Sequence, residues 1–151
     1  MTFDPELAQA IILDHHSNPR HRMDRGSLVG FAGGEAKVLQ TTNPLCGDIV
    51  WLAVGEQATA DGGLEFAYAG SGCAVSQAGA SVLVSQLQGL GSDAASSVLE
   101  NYLAMMDGEP ACSELPEHLR AFGVLRDNAA RRVCAELAAK LAILVLAGRK
   151  S

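Results

Sequence analysis

The sequence predicts an α+β fold: an N-terminal helix, a three-stranded antiparallel sheet, then three to four helices packed on that sheet. Two observations carry this prediction. The apolar period is near two in the strand stretch that precedes Gly70-Ser71-Gly72 and 3.6 after it. Clusters of Gly, Pro, Asn and Asp also cut the chain into short pieces in the first half and longer ones in the second. With 151 residues, no internal repeat and no low-complexity linker, the whole span 1–151 is expected to be one domain.

The first helix is expected over residues 4–16, with Asp4 as N-cap, Pro5 at the first helical position and Leu7, Ile11 and Ile12 on one face, stopped by Asn18-Pro19. Residues 21–34 are polar and glycine-bearing without a sustained period, which predicts an irregular connection. Strands follow at 35–41, 48–56 and 64–68, divided by Asn43-Pro44 and by Asp61-Gly62-Gly63, with Ile49, Trp51 and Ala53 alternating in the second. A helix begins near Cys73, with Val75, Ala78, Val82, Leu83 and Leu87 on one stripe. The next helix, capped by Ser92 or Asp93, reaches Met106 and is broken by Asp107-Gly108-Glu109-Pro110. Residues 116–122 suggest one short turn. The last helix spans about 127–147, with Asp127 as N-cap and Val133, Leu137, Leu141 and Leu144 at helical spacing.

Composition narrows the function. The net charge is −6, and the eleven Lys and Arg are scattered apart from Arg20, Arg22 and Arg25, which argues against nucleic acid and leaves that small group as a surface for an acidic protein partner. The apolar run 141–147 is far below the ~20 residues of a membrane span, and the N-terminal residues, with Asp4 and Glu6, do not resemble a signal peptide. A cytoplasmic protein without membrane contact is expected. In that reducing compartment four cysteines are metal ligands, reactive thiols or buried small residues rather than a disulfide framework.

The chemistry centres on Cys46-Gly47-Asp48. Gly47 can take backbone conformations closed to other residues and so let a thiol and a carboxylate converge on one ion. Cys73 follows Ser71-Gly72 at a helix start, where free N–H groups stabilise a thiolate. Cys134 lies in the last helix, where Arg131, three positions earlier, is expected to lower its pKa and make it a nucleophile. Cys46, Asp48, Cys73 and Cys134 together form a donor set suited to tetrahedral zinc, although their spacing fits no standard finger and buried small cysteines are the plain alternative. A zinc hydrolase or deaminase would need a general-base Glu in a His-x-Glu and Pro-Cys-x-x-Cys setting, which is missing.

Four segments, in order, resemble the U-type iron–sulfur cluster assembly family, which comprises IscU, SufU and the N-terminal domain of NifU. They are Ile12-Leu13-Asp14-His15-His16-Ser17-Asn18-Pro19-Arg20, Asn43-Pro44-Leu45-Cys46-Gly47-Asp48, Gly72-Cys73-Ala74-Val75-Ser76-Gln77-Ala78 and Arg131-Arg132-Val133-Cys134-Ala135-Glu136-Leu137. The resemblance implies a SufE/NifU-like fold. It implies that Cys46, Cys73 and Cys134 with Asp48 hold zinc or a nascent [2Fe–2S] cluster, with Gly47 and Arg131 in supporting roles. Val133 stands where IscU-type scaffolds carry a histidine, their Leu-Pro-Pro-Val-Lys segment is absent, and the region 87–126 resembles the insertion of SufU-type members. The SufU branch is thus favoured, in which Cys134 would accept sulfur from a SufS-like cysteine desulfurase for delivery to a downstream scaffold or apoprotein. Such a protein is an accessory sulfurtransferase rather than a free-standing enzyme, and the alternative is a scaffold that builds and transfers a [2Fe–2S] cluster. Val133, where a basic residue is frequent, and Ala129, where proline is frequent, depart from the SufU pattern. His15 and His16 point apart on a helix and are not expected as ligands; His21 and His118 are expected in solvent, and Cys112 is a free cysteine in a connection.

Overall fold

The computed structural model describes residues 3–149. Helix α1 (Pro5–Ser17) is capped as expected, the Asp4 carboxylate accepting from the Glu6 N–H at 3.0 Å. Its buried stripe is Ala8, Ile11, Ile12 and His15, while Leu7 is exposed. The segment expected to be irregular contains helix α2 (Arg25–Ala32), started by Asp24, whose carboxylate accepts from Ser27 N–H at 2.8 Å, and stopped by Gly33 in the left-handed conformation.

Strands β1 (Leu39–Asn43), β2 (Asp48–Val54) and β3 (Phe66–Ser71) form an antiparallel sheet in the order β1-β2-β3. A 3₁₀ turn over Glu35–Lys37 takes the place expected for the start of β1. The third strand begins two residues later than expected and runs to Ser71, leading straight into the site. The pleat divides β2: Val50, Leu52 and Val54 face the main core with Phe66 and Tyr68, whereas Ala53, with Ala67 and Ala69 of β3, faces the back. Helix α2 covers that back face with Leu28 and Ala32, the small alanines letting it approach closely.

The main core is built around α3 (Ala74–Leu87), which is buried on nearly every side between the sheet, α1 and α6. Helix α4 (Ser92–Met106), the short α5 (Glu117–Arg120) and a 3₁₀ turn over Ala121–Leu125 connect it to α6 (Ala129–Arg149). Asn128, not Asp127, caps α6, its Oδ1 accepting from Arg131 N–H at 3.1 Å. The buried stripe of α6 is Cys134, Leu137, Ala138, Leu141 and Val145, and both Val133 and Leu144 are turned to solvent. No helix among the described residues is long and apolar enough to cross a membrane.

The Asn-Pro-Arg element beyond α1 is tied into the core. The Arg20 N–H donates to Ser81 Oγ at 2.8 Å, the same oxygen lies 2.8 Å from His15 Nδ1, and the ring of His118 meets that of His15 edge-on at 5.7 Å. His118 is therefore a packing residue, not a solvated one. Burial first, then the Arg20 and His118 charges, depress the His15 pKa to about 4 against the opposing pull of Asp14. A folded pKa below the unfolded one gives stability that is present above about pH 6.5 and lost as pH falls toward 4. The unfolding midpoint should accordingly drop across that window, and His15→Gln should flatten the slope; an unaltered slope would remove His15 from the account.

Candidate metal centre

Each element delivers one part of the site. The turn between β1 and β2 is closed by Gly47 N–H and Cys46 N–H donating to the Asn43 carbonyl at 2.8 and 3.2 Å, with Gly47 at φ +72°. The turn leaves Cys46 exposed at its tip and puts Asp48, 1% exposed, at the first position of β2. Cys73 is the N-cap of α3, its sulfur accepting from Ser76 N–H at 3.4 Å. Cys134 lies in the second turn of α6, buried against the sheet.

Asp48 is the hub. Its Oδ1 accepts from Cys73 N–H at 2.7 Å, and its Oδ2 lies 3.1 Å from Cys134 Sγ and 3.7 Å from Cys73 Sγ. The Cys134 and Cys46 sulfurs are 3.9 Å apart, and Asn43 Nδ2 is 3.4 Å from Cys134 Sγ. One donor atom each from Cys46, Asp48 and Cys134 lie within 4.8 Å of one another; Cys73, expected as the fourth ligand, lies outside that group and touches it through Asp48. Zinc–sulfur and zinc–oxygen bonds of about 2.3 and 2.0 Å give tetrahedral edges of about 3.8 Å for S···S and about 3.5 Å for S···O. The 3.9 Å sulfur pair and the 3.1 and 3.7 Å sulfur–oxygen pairs bracket those edges, so the residues fit a zinc ion or a thiolate-held cluster.

Burial works to raise the Asp48 pKa, but the Cys73 N–H and the Cys134, Cys73 and Ser76 hydrogen bonds outweigh it and hold the carboxyl below its usual range. Cys134 goes the other way: burial first, then Asp48 and Cys73, push its thiol well above the ordinary value. The expected help from Arg131 is not seen. That residue is exposed in the first turn of α6, and burial, Asp48 and Cys73 dominate the thiol and oppose its ionisation. The neighbouring Arg132 instead pairs with Glu136 at 2.6 Å and with Asp107.

Gly72, which the sequence places before the start of α3 and in the Gly72-Cys73 segment, also shapes the candidate site. Its φ is +138°, and a Cβ there would overlap Asp48 Oδ1 and come within 2.8 Å of the Asp48 Cα. Gly72→Ala should cost about 1–3 kcal/mol of stability and weaken metal binding by moving the carboxylate, checked by thermal melts and chelator competition. Unchanged metal affinity would show that the close approach is dispensable. The basic group proves largely self-satisfied. Arg20 pairs with Asp14 and Arg25 with Glu35, each at 2.7 Å, and Arg25 also lies 5.9 Å over the Trp51 ring.

The chain is similar to proteins of known sequence and structure. The family profile described as NifU-like N terminal domain matches residues 7–141. The chain is 30% identical over 122 residues to the iron–sulfur cluster assembly scaffold protein IscU of Streptococcus pyogenes serotype M1, covering 80% of this chain and 70% of that protein. It is 30% identical over 105 residues to the zinc-dependent sulfurtransferase SufU of Bacillus subtilis, covering 68% of this chain and 63% of that one, just under two thirds of its length. Among solved structures, a hypothetical protein superposes with a TM-score of 0.76 at 26% identity, covering 95% of this chain and 98% of its own. FiSufU of Fervidobacterium islandicum AW-1, described as a cluster assembly scaffold for the SUF system, gives 0.72 at 23% identity, covering 90% of this chain and 93% of that one, and so supports the fold alone.

Proposed function

The chain belongs to the NifU-like N-terminal domain family, and from that premise we propose that it is an iron–sulfur cluster assembly protein that accepts sulfur at Cys134 from a partner cysteine desulfurase. Cys46, Asp48, Cys73 and Cys134 are the proposed zinc ligands. The observation that supports the reading is the buried Asp48 carboxylate reaching both the Cys73 and Cys134 sulfurs, with Cys46 beside Cys134. Val133 is exposed and offers no further donor, which favours a closed three-sulfur, one-oxygen set.

Bound zinc would keep its cysteine ligands deprotonated at neutral pH. Asp48 Oδ2 fixes the position of Cys134 Sγ at 3.1 Å. Cys134 itself is 4% exposed, so the approach would run past Cys46, the most exposed of the proposed ligands. In the transfer the Cys134 thiolate bonds to the terminal sulfur of the desulfurase persulfide and the persulfide S–S bond breaks. The desulfurase cysteine leaves as a thiolate and Cys134 becomes the persulfide, with no net oxidation. A downstream scaffold or apoprotein would take that sulfur. The free thiols of the site suit a reducing compartment such as the cytoplasm.

The test adds the protein to its desulfurase and free cysteine without reductant. Turnover should rise, and peptide mass mapping should place one extra sulfur on Cys134; no rise and no adduct would sink the reading. The same thiolates also suit a [2Fe–2S] cargo, and the IscU relative is as similar as the SufU one. Anaerobic reconstitution that yields a transferable cluster, with no sulfur kept on Cys134, would decide for a scaffold.

A further inference from the structure

Asn43 ends β1 directly opposite Asp48 in the β1–β2 register and is 4% exposed. A buried amide has to satisfy both of its ends. Its Oδ1 accepts from the Leu45 N–H at 3.2 Å, and its Nδ2 lies 3.4 Å from Cys134 Sγ. This orientation is dictated by chemistry: a backbone N–H cannot donate to an amide nitrogen, so the end facing Leu45 is oxygen and the end facing the sulfur is the donor.

The other close neighbours of that sulfur are electron-rich, Asp48 Oδ2 at 3.1 Å and Cys46 Sγ at 3.9 Å. A thiol can donate its proton to the carboxylate, whereas a thiolate has nothing to donate and faces two repulsive groups. Among the described residues, Asn43 Nδ2 is the one nitrogen donor hydrogen-bonded to the Cys134 sulfur, its other partners being thiols or the carboxylate.

We propose that Asn43 is a positioning residue for sulfur acceptance, its amide holding the negatively charged Cys134 sulfur in place and aimed at the incoming persulfide. This inference rests on Cys134 being the acceptor. During transfer Cys134 Sγ gains a bond to the terminal sulfur and the displaced thiolate departs on the donor cysteine. The amide therefore acts on the sulfur before attack and keeps it from being driven out of line by Asp48 and Cys46. The same bond would polarise the sulfur whenever it binds a metal.

Asn43→Asp separates the two jobs of the side chain, because it keeps an oxygen for the Leu45 N–H and removes the donor. Asn43→Ala serves if the added carboxylate prevents folding. Two readouts are taken. In the cobalt(II)-loaded protein, loss of an N–H aimed at a thiolate should shift the sulfur-to-cobalt charge-transfer band to longer wavelength. In single-turnover sulfur uptake from the persulfidated desulfurase, the rate at Cys134 should fall about tenfold, the scale of one hydrogen bond to a charged group. An unmoved band overturns the Asn43–sulfur bond, and a moved band with an unchanged rate overturns its part in the reaction. If the wild-type protein takes up no sulfur, the acceptor reading fails and the reaction role of Asn43 falls with it, while the band still decides whether the bond exists.

Discussion

Cys134→Ser is expected to abolish the proposed sulfur uptake and the stimulation of the desulfurase without unfolding the protein. Serine is slightly smaller, fits the second turn of α6, and its hydroxyl can still donate to Asp48 Oδ2, 3.1 Å from the present sulfur. Its oxygen cannot form a stable persulfide, so the loss should be complete to background. Zinc affinity should also fall, by more than the about 10–100-fold typical of losing a group that merely supports a ligand. Desulfurase turnover, peptide mass mapping and zinc content would be read side by side with Cys112→Ser. Cys112 lies in the connection between α4 and α5, outside the donor cluster, and its replacement should leave all three measurements alone. Stimulation that survives in Cys134→Ser would transfer the acceptor role to another cysteine.

Asp48→Asn is expected to empty the proposed metal site while the chain stays folded. The replacement keeps the oxygen that accepts from the Cys73 N–H at 2.7 Å, so the start of α3 is held as before. It removes the negative charge that makes Oδ2 a good ligand, leaving three sulfurs. Asp48→Ala goes further and strands the Cys73 N–H, which should add about 1–3 kcal/mol of destabilisation. Zinc per chain after chelator challenge, with melting curves of both variants, separates these effects. Wild-type zinc retention in Asp48→Asn would strike the carboxylate from the ligand set. Since the Asp48 pKa is depressed in the folded protein, its stabilisation is present above the ordinary carboxylate range and is lost as pH falls through its folded value.

The element order was legible because glycine and proline clusters and the change of apolar period survive in a single sequence. The faces of the helices were less so, for one recurring reason. In α1 and α6 the reading followed the large apolar residues Leu7, Val133 and Leu144, whereas the buried stripes run through Ala8 and through Cys134 and Ala138. Small residues let these helices approach their neighbours closely, and size-weighted periodicity misses them. Helix α2 was missed because Gly26, Ser27 and Gly30 dilute its helical propensity. Its signals were present in Asp24 and in Gly33-Gly34. Of the site, the cysteines and Asp48 stood out by chemistry and by family resemblance. Gly72 and Asn43 did not, because a close backbone approach and a buried amide bond are tertiary facts with no local pattern.

The site also has an order of manufacture. Asp48 and Cys134 are 86 residues apart in the chain, and the turn, the sheet, α3 and α6 must all be in place before their side chains meet. A growing chain exposes Cys46 and Asp48 to the cell long before α6 emerges from the ribosome, and chains that fold as they are made complete such long-range contacts last. The emerging fragment therefore carries a loose thiol and carboxylate with no cage around them. Secure capture of an ion would be postponed until α6 has emerged and docked, so metal loading would report on the folding of this unit.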